Sequence, residues 1–487
     1  MNPAPVEFLH YLGGKWVAGD GAQLTSTSPT RPDEVVARGR YASAAQVDQA
    51  LADADAARED WANAAMATRA AVLRKAAAII REHAQEWGAE LTREEGKTLP
   101  EGVGEVTRAA QVLEYQAGQA DREAGEVYHS PRVGERIEVI RRPVGVVSCI
   151  TPFNFPIAIP AWKMAPALIH GNTVVWKPAD KVPLLAMRFA SALHEAGLPA
   201  GVVNLVLPET PDANAMLTDP RVAAVTFTGS TAVGRTIAAS CAAVGVPVQA
   251  ELGGKNPAIV LADADIPHAV TQVINGAFNS SGQKCTATSR VAVVDEVADH
   301  FICLLSSELA ARRTGDPLDH SVAMGPMVDA GPRDTALAAV RRSVSGGSTL
   351  IAGGGVPEVP GCAGGYFLDP TVIEVSSTND ELWVDELFAP VLAVLRVGDA
   401  EEAFAAADCG PYNLSAAVFT DSLAASFDAV DKLHTGMLHI NSETSGADPH
   451  VPFGGNGASG FGPKEQGQAA LEFFTKTTTM YLGRWPR

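Results

Sequence analysis

The 487-residue chain is 46% hydrophobic and 19% charged, an ordinary globular balance, and it is too long for one hydrophobic core, so two or three domains are expected. Lys plus Arg total 37 against 56 for Asp plus Glu, a formal charge of −19, which argues against nucleic acid or anionic membrane as a main partner, since both reward clustered cations. Six scattered cysteines with no CxxC pair, and a start without a basic-then-apolar leader, point to a reducing cytoplasm.

In chain order, residues 8–20 read as a short hairpin turning at Gly13-Gly14. From about 43 to 121 the chain is Ala-rich with apolar residues at helical spacing; Ser43 is the expected N-cap, Pro100 interrupts the run, and no chemistry is legible. Residues 125–142, with Val127, Tyr128, Val133, Ile137, Val139 and Ile140, change to an extended pattern that suits a hairpin. The most apolar region, 144–176, is broken by Pro152, Asn154, Pro156, Pro160, Lys163 and Pro166, and reads as buried core, not a membrane span.

Strands and helices then alternate. Strands are expected at 144–150, 173–177, 202–207 and 222–228, and helices at 159–170, 184–196, 212–218 and 231–244. This density predicts a doubly wound parallel sheet, on which ligands sit beyond the carboxyl ends of the strands. Four polar clusters fall there: Thr151–Asn154, Lys177–Asp180, Thr228–Ser230 and Glu251–Lys255. The alternation resumes with a strand at 259–261, a helix at 266–278 and a strand at 289–294, predicting a second α/β domain to about 450 with a glycine-rich loop at 353–366. The tail, 473–482, is strand-like, and a terminal strand of this kind often adds to a partner's sheet.

Within Gly282-Gln283-Lys284-Cys285-Thr286, small and polar neighbours present the thiol of Cys285 and its backbone N–H. The other cysteines read as packing: Cys149 in a strand, Cys241 and Cys303 on apolar helix faces, Cys362 and Cys409 in loops or at element ends. No His stands in a protease-like context, so a Cys–His hydrolase is not indicated. Glu251, on the bend Glu251-Leu252-Gly253-Gly254-Lys255, offers a carboxylate suited to a general base towards water. Asn154, fixed between Pro152-Phe153 and Phe155-Pro156, is either a turn cap or, with the Cys285 N–H, an oxyanion donor.

Gly229-Ser230-Thr231-Ala232-Val233-Gly234 joins a strand to a helix whose N-terminal N–H groups suit a pyrophosphate, although its GxxxxG spacing is not the dinucleotide fingerprint. The GxGxxG string at 455–460 follows no strand and opens no βαβ unit, and is set aside. Lys177 suits ribose hydroxyls, and Asp180 beside it opposes a 2′-phosphate, favouring NAD over NADP. Glu386 and Phe388, two residues apart, are expected on one face of an extended segment, where they suit a ribose and a nicotinamide.

Together with Trp176-Lys177-Pro178-Ala179, Glu386-Leu387-Phe388-Ala389-Pro390 and Pro452-Phe453-Gly454-Gly455, these motifs resemble the aldehyde dehydrogenase superfamily, in its order, from about residue 8 to 482. The resemblance implies an α/β fold with two doubly wound parallel-sheet domains plus a small β oligomerisation element. The expected division is 1–124 with 143–252 as a Rossmann-like NAD-binding domain, 253–455 as a catalytic domain, and 125–142 with 456–487 for oligomerisation. It implies Cys285, Glu251 and Asn154 as catalytic residues. Thr151, Pro152, Phe153, Lys177, Asp180, Gly229, Ser230, Gly234, Glu386 and Phe388 are implied as contacts to NAD, with NADP as the alternative. Trp162, Thr286 and Ser445 are expected against the substrate, and no metal is expected.

Trp162–Leu168, Gln283–Arg290, Glu465-Gln466-Gly467 and Phe473-Phe474-Thr475 look most like the 2-oxoglutarate semialdehyde (2,5-dioxopentanoate) dehydrogenases. The loop Ser442 to Asp448 is small and polar, which points to a small polar, carboxylated aldehyde; Asn456 and Asp448-Pro449-His450 depart from the close pattern near the substrate entrance. The expected state is a cytoplasmic homodimer or homotetramer acting on a small-molecule aldehyde. A CoA-acylating semialdehyde dehydrogenase and a non-catalytic NAD-binding scaffold are the alternatives; Glu251 favours water over CoA as acceptor, and the presence of thiol, base and Asn opposes the scaffold.

Overall fold

A computed structural model describes residues 4–122 and 125–484; the start of the chain, read above for a leader, falls outside at residues 1–3. The first of two large sheets has eight strands, in the order Gly460–Phe461, Val248–Glu251, Val222–Thr228, Val146–Ile150, Thr173–Lys177, Val203–Leu205, His10–Leu12 and Lys15–Val17. Its five members from Val248–Glu251 to Val203–Leu205 run parallel. From Val146–Ile150 the chain builds outward through Thr173–Lys177 and Val203–Leu205, then returns to lay Val222–Thr228 on the other side. The winding therefore reverses beside Val146–Ile150, where such sheets open a crevice.

The second sheet runs Thr349–Ala352, Thr371–Val375, Val391–Val397, Thr288–Val294, Asn256–Val260, Ser415–Phe419 and Met437–Ile440, parallel except for its first strand. Strands such as Val391–Val397 are buried along nearly their whole length because helices cover both faces, which explains why they read as continuous apolar runs without alternation. The apolar stretch around 144–176 is core, as expected. Among the described residues no helix is long and apolar enough to cross a membrane.

Local chemistry sets the boundaries. Ser43 closes a capping box with Gln46 at the start of the Ala44–Asn63 helix, and Pro100 begins the Leu99–Ala117 helix, where a missing N–H costs nothing. The 8–20 hairpin forms with its Gly13-Gly14 turn.

Three expectations need correction. The terminal strand Thr475–Gly483 pairs along its whole length with Glu135–Pro143 of its own chain, from Thr475 opposite Pro143 to Gly483 opposite Glu135. The preceding Ala469–Phe474 helix delivers it there: Phe473 and Phe474 are buried in the first core, and the Phe474 carbonyl accepts from Asn172 Nδ2 at 2.9 Å. For the same reason 456–474 does not belong to the small β element: Gly460–Phe461 pairs with Val248–Glu251, and Asn456–Gly457 with Tyr412–Asn413. Finally, Cys303 is exposed on the Asp295–Ala310 helix, so packing does not explain it.

Arg69 locks the helical scaffold to this core. Buried on the Met66–Glu82 helix, it donates to the carbonyls of Ile169 (2.8 Å), Trp61 (3.1 Å), Ala62 (3.0 Å) and Ala64 (2.8 Å), the orphan acceptors at two helix C-termini. Arg69→Met strips these acceptors of their partner and is expected to cost about 3 kcal/mol. A urea denaturation midpoint equal to that of the wild type would show that the cluster carries no such load.

Candidate active site

Cys285 follows the Ile266–Phe278 helix through a strained turn: Ser280 (φ 54°), Ser281 (φ 53°) and Gly282 (φ 67°) are all left-handed. Two consecutive non-glycine residues hold that conformation only when their surroundings over-determine it. Here Glu101 Oε1 accepts the Ser280 N–H at 2.7 Å, Ser281 Oγ donates to the Gly325 carbonyl at 2.9 Å, and Gln283 Oε1 accepts the Val328 N–H at 3.1 Å. Gly282 is required because a Cβ there would meet the Ala389 carbonyl at 2.4 Å. Beyond the turn, Asn256 Nδ2 holds the Cys285 carbonyl at 2.8 Å, and Thr444 Oγ1 holds that of Thr286 at 2.7 Å.

Asn154 lies buried just past the Val146–Ile150 strand. Its Nδ2 donates to the Gln283 carbonyl at 2.9 Å, and its own carbonyl accepts from Lys97 Nζ at 2.7 Å. The amide is thus tied to the backbone two residues before Cys285, and its second N–H remains for another acceptor.

Cys285 is partly exposed on the wall of a cavity of about 300 Å³. Trp162, Thr286 and Ser445, the expected substrate residues, line the same cavity, with Phe155 and Phe453. Trp162 Nε1 and Ser445 Oγ are buried without a partner. Of the small polar loop, Ser445, Gly446 and Ala447 line the cavity, whereas Thr444 is occupied in holding the cysteine segment. Burial pushes the Cys285 thiol well above its ordinary range, reinforced by the charges of Glu251, Glu386 and Glu465.

Glu251 ends its strand buried, with Oε1 unpartnered. Burial, and then the charge of Glu465, push its carboxyl well above the usual range, against Lys163, Lys464 and the Gly455 N–H. A carboxyl poised upward is what a base working near neutral pH requires. Behind it, Lys163 forms a buried ion pair with Glu465 and donates to Thr226 Oγ1 at 2.9 Å. Sequence reasoning assigned no role to Lys163 or Glu465; the available signal was a lysine in the middle of an otherwise apolar helix, Ala158–Ile169.

The expected cofactor residues cluster at the strand ends with differing freedom. Thr151 Oγ1 is taken by Trp176 Nε1 at 2.9 Å, and the Gly229 N–H by the Glu251 carbonyl at 3.2 Å. Pro152 follows Thr151 in the same turn. Ser230 caps the Thr231–Val244 helix, accepting the Val233 N–H, and Gly234 inside that helix lies against Leu252. Lys177 ends its strand, its ammonium pKa lowered by burial, and Asp180 accepts from Tyr41 Oη at 3.2 Å. Phe388 has a left-handed backbone (φ 53°), so Glu386 and Phe388 do not alternate along an extended segment as expected. Both nevertheless border one cavity of about 470 Å³ with Phe153, whose ring meets that of Phe388 edge-on at 6.0 Å. Glu386 Oε1 accepts the Gly254 N–H at 2.8 Å, and burial pushes its pKa up to about 7.

The strained turn thus carries a partly exposed thiol with an amide tethered to it, and a buried carboxylate ends a strand of the doubly wound sheet. The family model described as "Aldehyde dehydrogenase family" matches residues 16–480, and the chain belongs to that family of oxidoreductases acting on aldehydes. Among relatives, an alpha-ketoglutaric semialdehyde dehydrogenase of Bacillus subtilis (strain 168) is 37% identical, covering 98% of both chains. An alpha-ketoglutarate semialdehyde dehydrogenase of Haloferax volcanii is 38% identical, covering 97% of this chain and 98% of that one. The structure of betaine aldehyde dehydrogenase from Staphylococcus aureus in complex with NAD+ superposes with a TM-score of 0.95 at 30% identity, covering 99% and 96% of the two chains.

Glu465→Gln removes the carboxylate that raises Glu251 and leaves Lys163 to attract it. Both effects lower the Glu251 pKa, so the acidic limb of the pH–rate profile for aldehyde oxidation should move to lower pH, by roughly one unit. A limb that stays in place or moves upward would separate Glu251 from that titration.

Proposed function

We propose that this protein oxidises a small polar semialdehyde to the carboxylic acid with NAD(P)+ as acceptor, through a thioester on Cys285. The observation that carries this reading is the pairing of a partly exposed thiol, on a loop tethered by Asn154, with a buried carboxylate that has an oxygen unpartnered among the described residues.

The residues present suit a nicotinamide dinucleotide. Among the described residues Thr228 Oγ1, at the carboxyl end of the strand beside the reversal of winding, is buried and orphaned, and half-buried Lys177 has no ion pair. Lys177 and Asp180 would hold ribose hydroxyls, with Asp180 disfavouring a 2′-phosphate and hence NADP. Ser230 and the helix it caps, with Gly229 and Gly234, would take the pyrophosphate. Thr151, Pro152, Phe153, Glu386 and Phe388 would frame the nicotinamide half. When bound, the cofactor accepts the hydride whose departure from the Cys285 adduct creates the thioester.

The chain's own residues do the rest. Cys285, partly exposed, releases its thiol proton to solvent as its sulfur attacks the aldehyde carbon, and the free Nδ2–H of Asn154 with the Cys285 N–H stabilises the oxyanion. Glu251 then takes a proton from water, and the resulting hydroxide releases the acid from the sulfur. Trp162, Thr286 and Ser445 bound the substrate. The relatives named for alpha-ketoglutarate semialdehyde, and the small polar lining at Ser445–Ala447, support a short carboxylated aldehyde.

The protein acts in the cytoplasm as a homodimer or homotetramer. In support, its cysteines are all free, the strands Met437–Ile440 and Thr475–Gly483 stand at sheet edges, and the Leu423–Lys432 helix exposes Leu423, Phe427 and Val430.

Cys285→Ala should abolish NADH formation, while Glu251→Gln should keep a burst of about one NADH per site and lose turnover by about 100-fold or more. Full steady turnover in Glu251→Gln would remove it as the base. Product analysis should find free acid without CoA; an acyl-CoA product would instead make CoA the acceptor.

A further inference from the structure

The lining of the Cys285 cavity holds three cations, Lys97, Arg108 and Lys284, against two carboxylates, Glu101 and Glu105, in a chain whose formal charge is −19. Two further carboxylates, Glu443 and Asp448, stand 3.9 Å from Lys284 and 3.6 Å from Arg108, so the partners of each group decide which charges are free.

Both carboxylates are committed. Glu101 accepts the N–H groups of Ser280 (2.7 Å) and Thr98 (2.9 Å), which holds the nucleophile turn. Glu105 accepts from Lys97 Nζ at 2.7 Å and from the Ile157 N–H at 3.0 Å. Lys97 is equally engaged: besides Glu105 it reaches the Asn154 carbonyl at 2.7 Å and lies 4.1 Å from the centre of the Phe155 ring.

Lys284 and Arg108 differ. Lys284 is 8% exposed, yet among the described residues its ammonium has no hydrogen-bond partner, and its nearest carboxylate oxygen, on Glu443, stands 3.9 Å away. Burial pulls its pKa down, against the charges of Glu443 and Glu101. Arg108 is half-exposed on the Leu99–Ala117 helix, and its closest acidic oxygen, on Asp448, is 3.6 Å away, also outside hydrogen-bond range. Burying an ammonium without hydrogen bonds is costly, and the cost is recovered when an anion enters. A guanidinium with free N–H groups is matched to a carboxylate. Lys284 also immediately precedes the nucleophile, so an anion gripped there belongs to the molecule whose aldehyde reaches Cys285.

We propose that Lys284 and Arg108 form a carboxylate-binding subsite, so that the preferred substrate is a short aldehyde with a carboxylate at its far end. This rests on the reading above of a short carboxylated aldehyde, and goes beyond it in naming the side chains that grip the carboxylate. The same cations oppose a quaternary ammonium aldehyde, the substrate in the name of the Staphylococcus aureus neighbour.

The test measures kcat/KM with NAD+ for matched pairs of equal length, succinate semialdehyde against butanal and 2,5-dioxopentanoate against pentanal, with betaine aldehyde as the cationic probe. The wild type should favour the carboxylated member at least 10-fold and reject betaine aldehyde. Lys284→Met and Arg108→Gln should each cut that preference by about 10-fold or more, chiefly through KM, whereas Lys284→Arg should keep most of it. Arg108 is half-exposed, so its variant reports even if Lys284→Met fails to fold. A wild type that prefers the uncharged or cationic aldehyde, or a preference unchanged in Arg108→Gln and in a folded Lys284→Met, overturns the subsite while leaving aldehyde oxidation intact. A wild type that reduces NAD+ or NADP+ with none of the aldehydes removes the underlying reading instead.

Discussion

The hydrogen bond from Asn154 Nδ2 to the Gln283 carbonyl is the constraint on which the site depends. It joins the carboxyl end of a strand in one sheet to the nucleophile turn that precedes a strand in the other. A left-handed run at Ser280, Ser281 and Gly282 does not hold itself, since each non-glycine residue there is unfavourable by about 1 kcal/mol or more. Anchors from three separate segments, at Glu101, at Asn154 and at Gly325–Val328, make the turn the lowest-energy solution. The thiol is therefore positioned by both sheets together, and a small displacement of either moves it relative to Glu251.

The second organising feature is the handling of buried charge. Glu251, Glu465, Lys163, Lys97 and Glu105 are all buried within or behind the site, where an unpaired ion is expensive. Two pairs, Lys97 with Glu105 and Lys163 with Glu465, absorb most of that expense. Glu251 has no such partner, and its carboxyl is raised in consequence. Its open oxygen suits it to take a proton. Lys284 and Arg108, which line the Cys285 cavity without a side-chain hydrogen bond among the described residues, are the proposed counterpart on the substrate side.

Much of the fold was legible in the sequence because its signals are local. The Thr173–Lys177 and Val222–Thr228 strands and the Thr231–Val244 and Ile266–Phe278 helices fall where apolar runs, caps and closing glycines place them. Cys285, Glu251 and Asn154 stood out by chemistry of type and neighbourhood. Less legible were features decided across the chain: the pairing of Thr475–Gly483 with its own hairpin, the left-handed backbone at Phe388, and the burial of Lys163 against Glu465, 302 residues away. Period and composition carry no information about which distant segment fills the other side of a charge.

The sequence alone determined the parallel α/β architecture, the order of the motifs and the identity of the thiol, amide and carboxylate, because each follows from side-chain chemistry and short-range backbone preference. Only the tertiary structure decided which of those groups are free. Thr151 and Gly229 are occupied by neighbours, whereas Glu251, Lys284 and the second N–H of Asn154 are left open. Whether a polar group is spent on the fold or kept for a substrate depends on partners supplied from hundreds of residues away, and that is settled only when the two sheets close on one another.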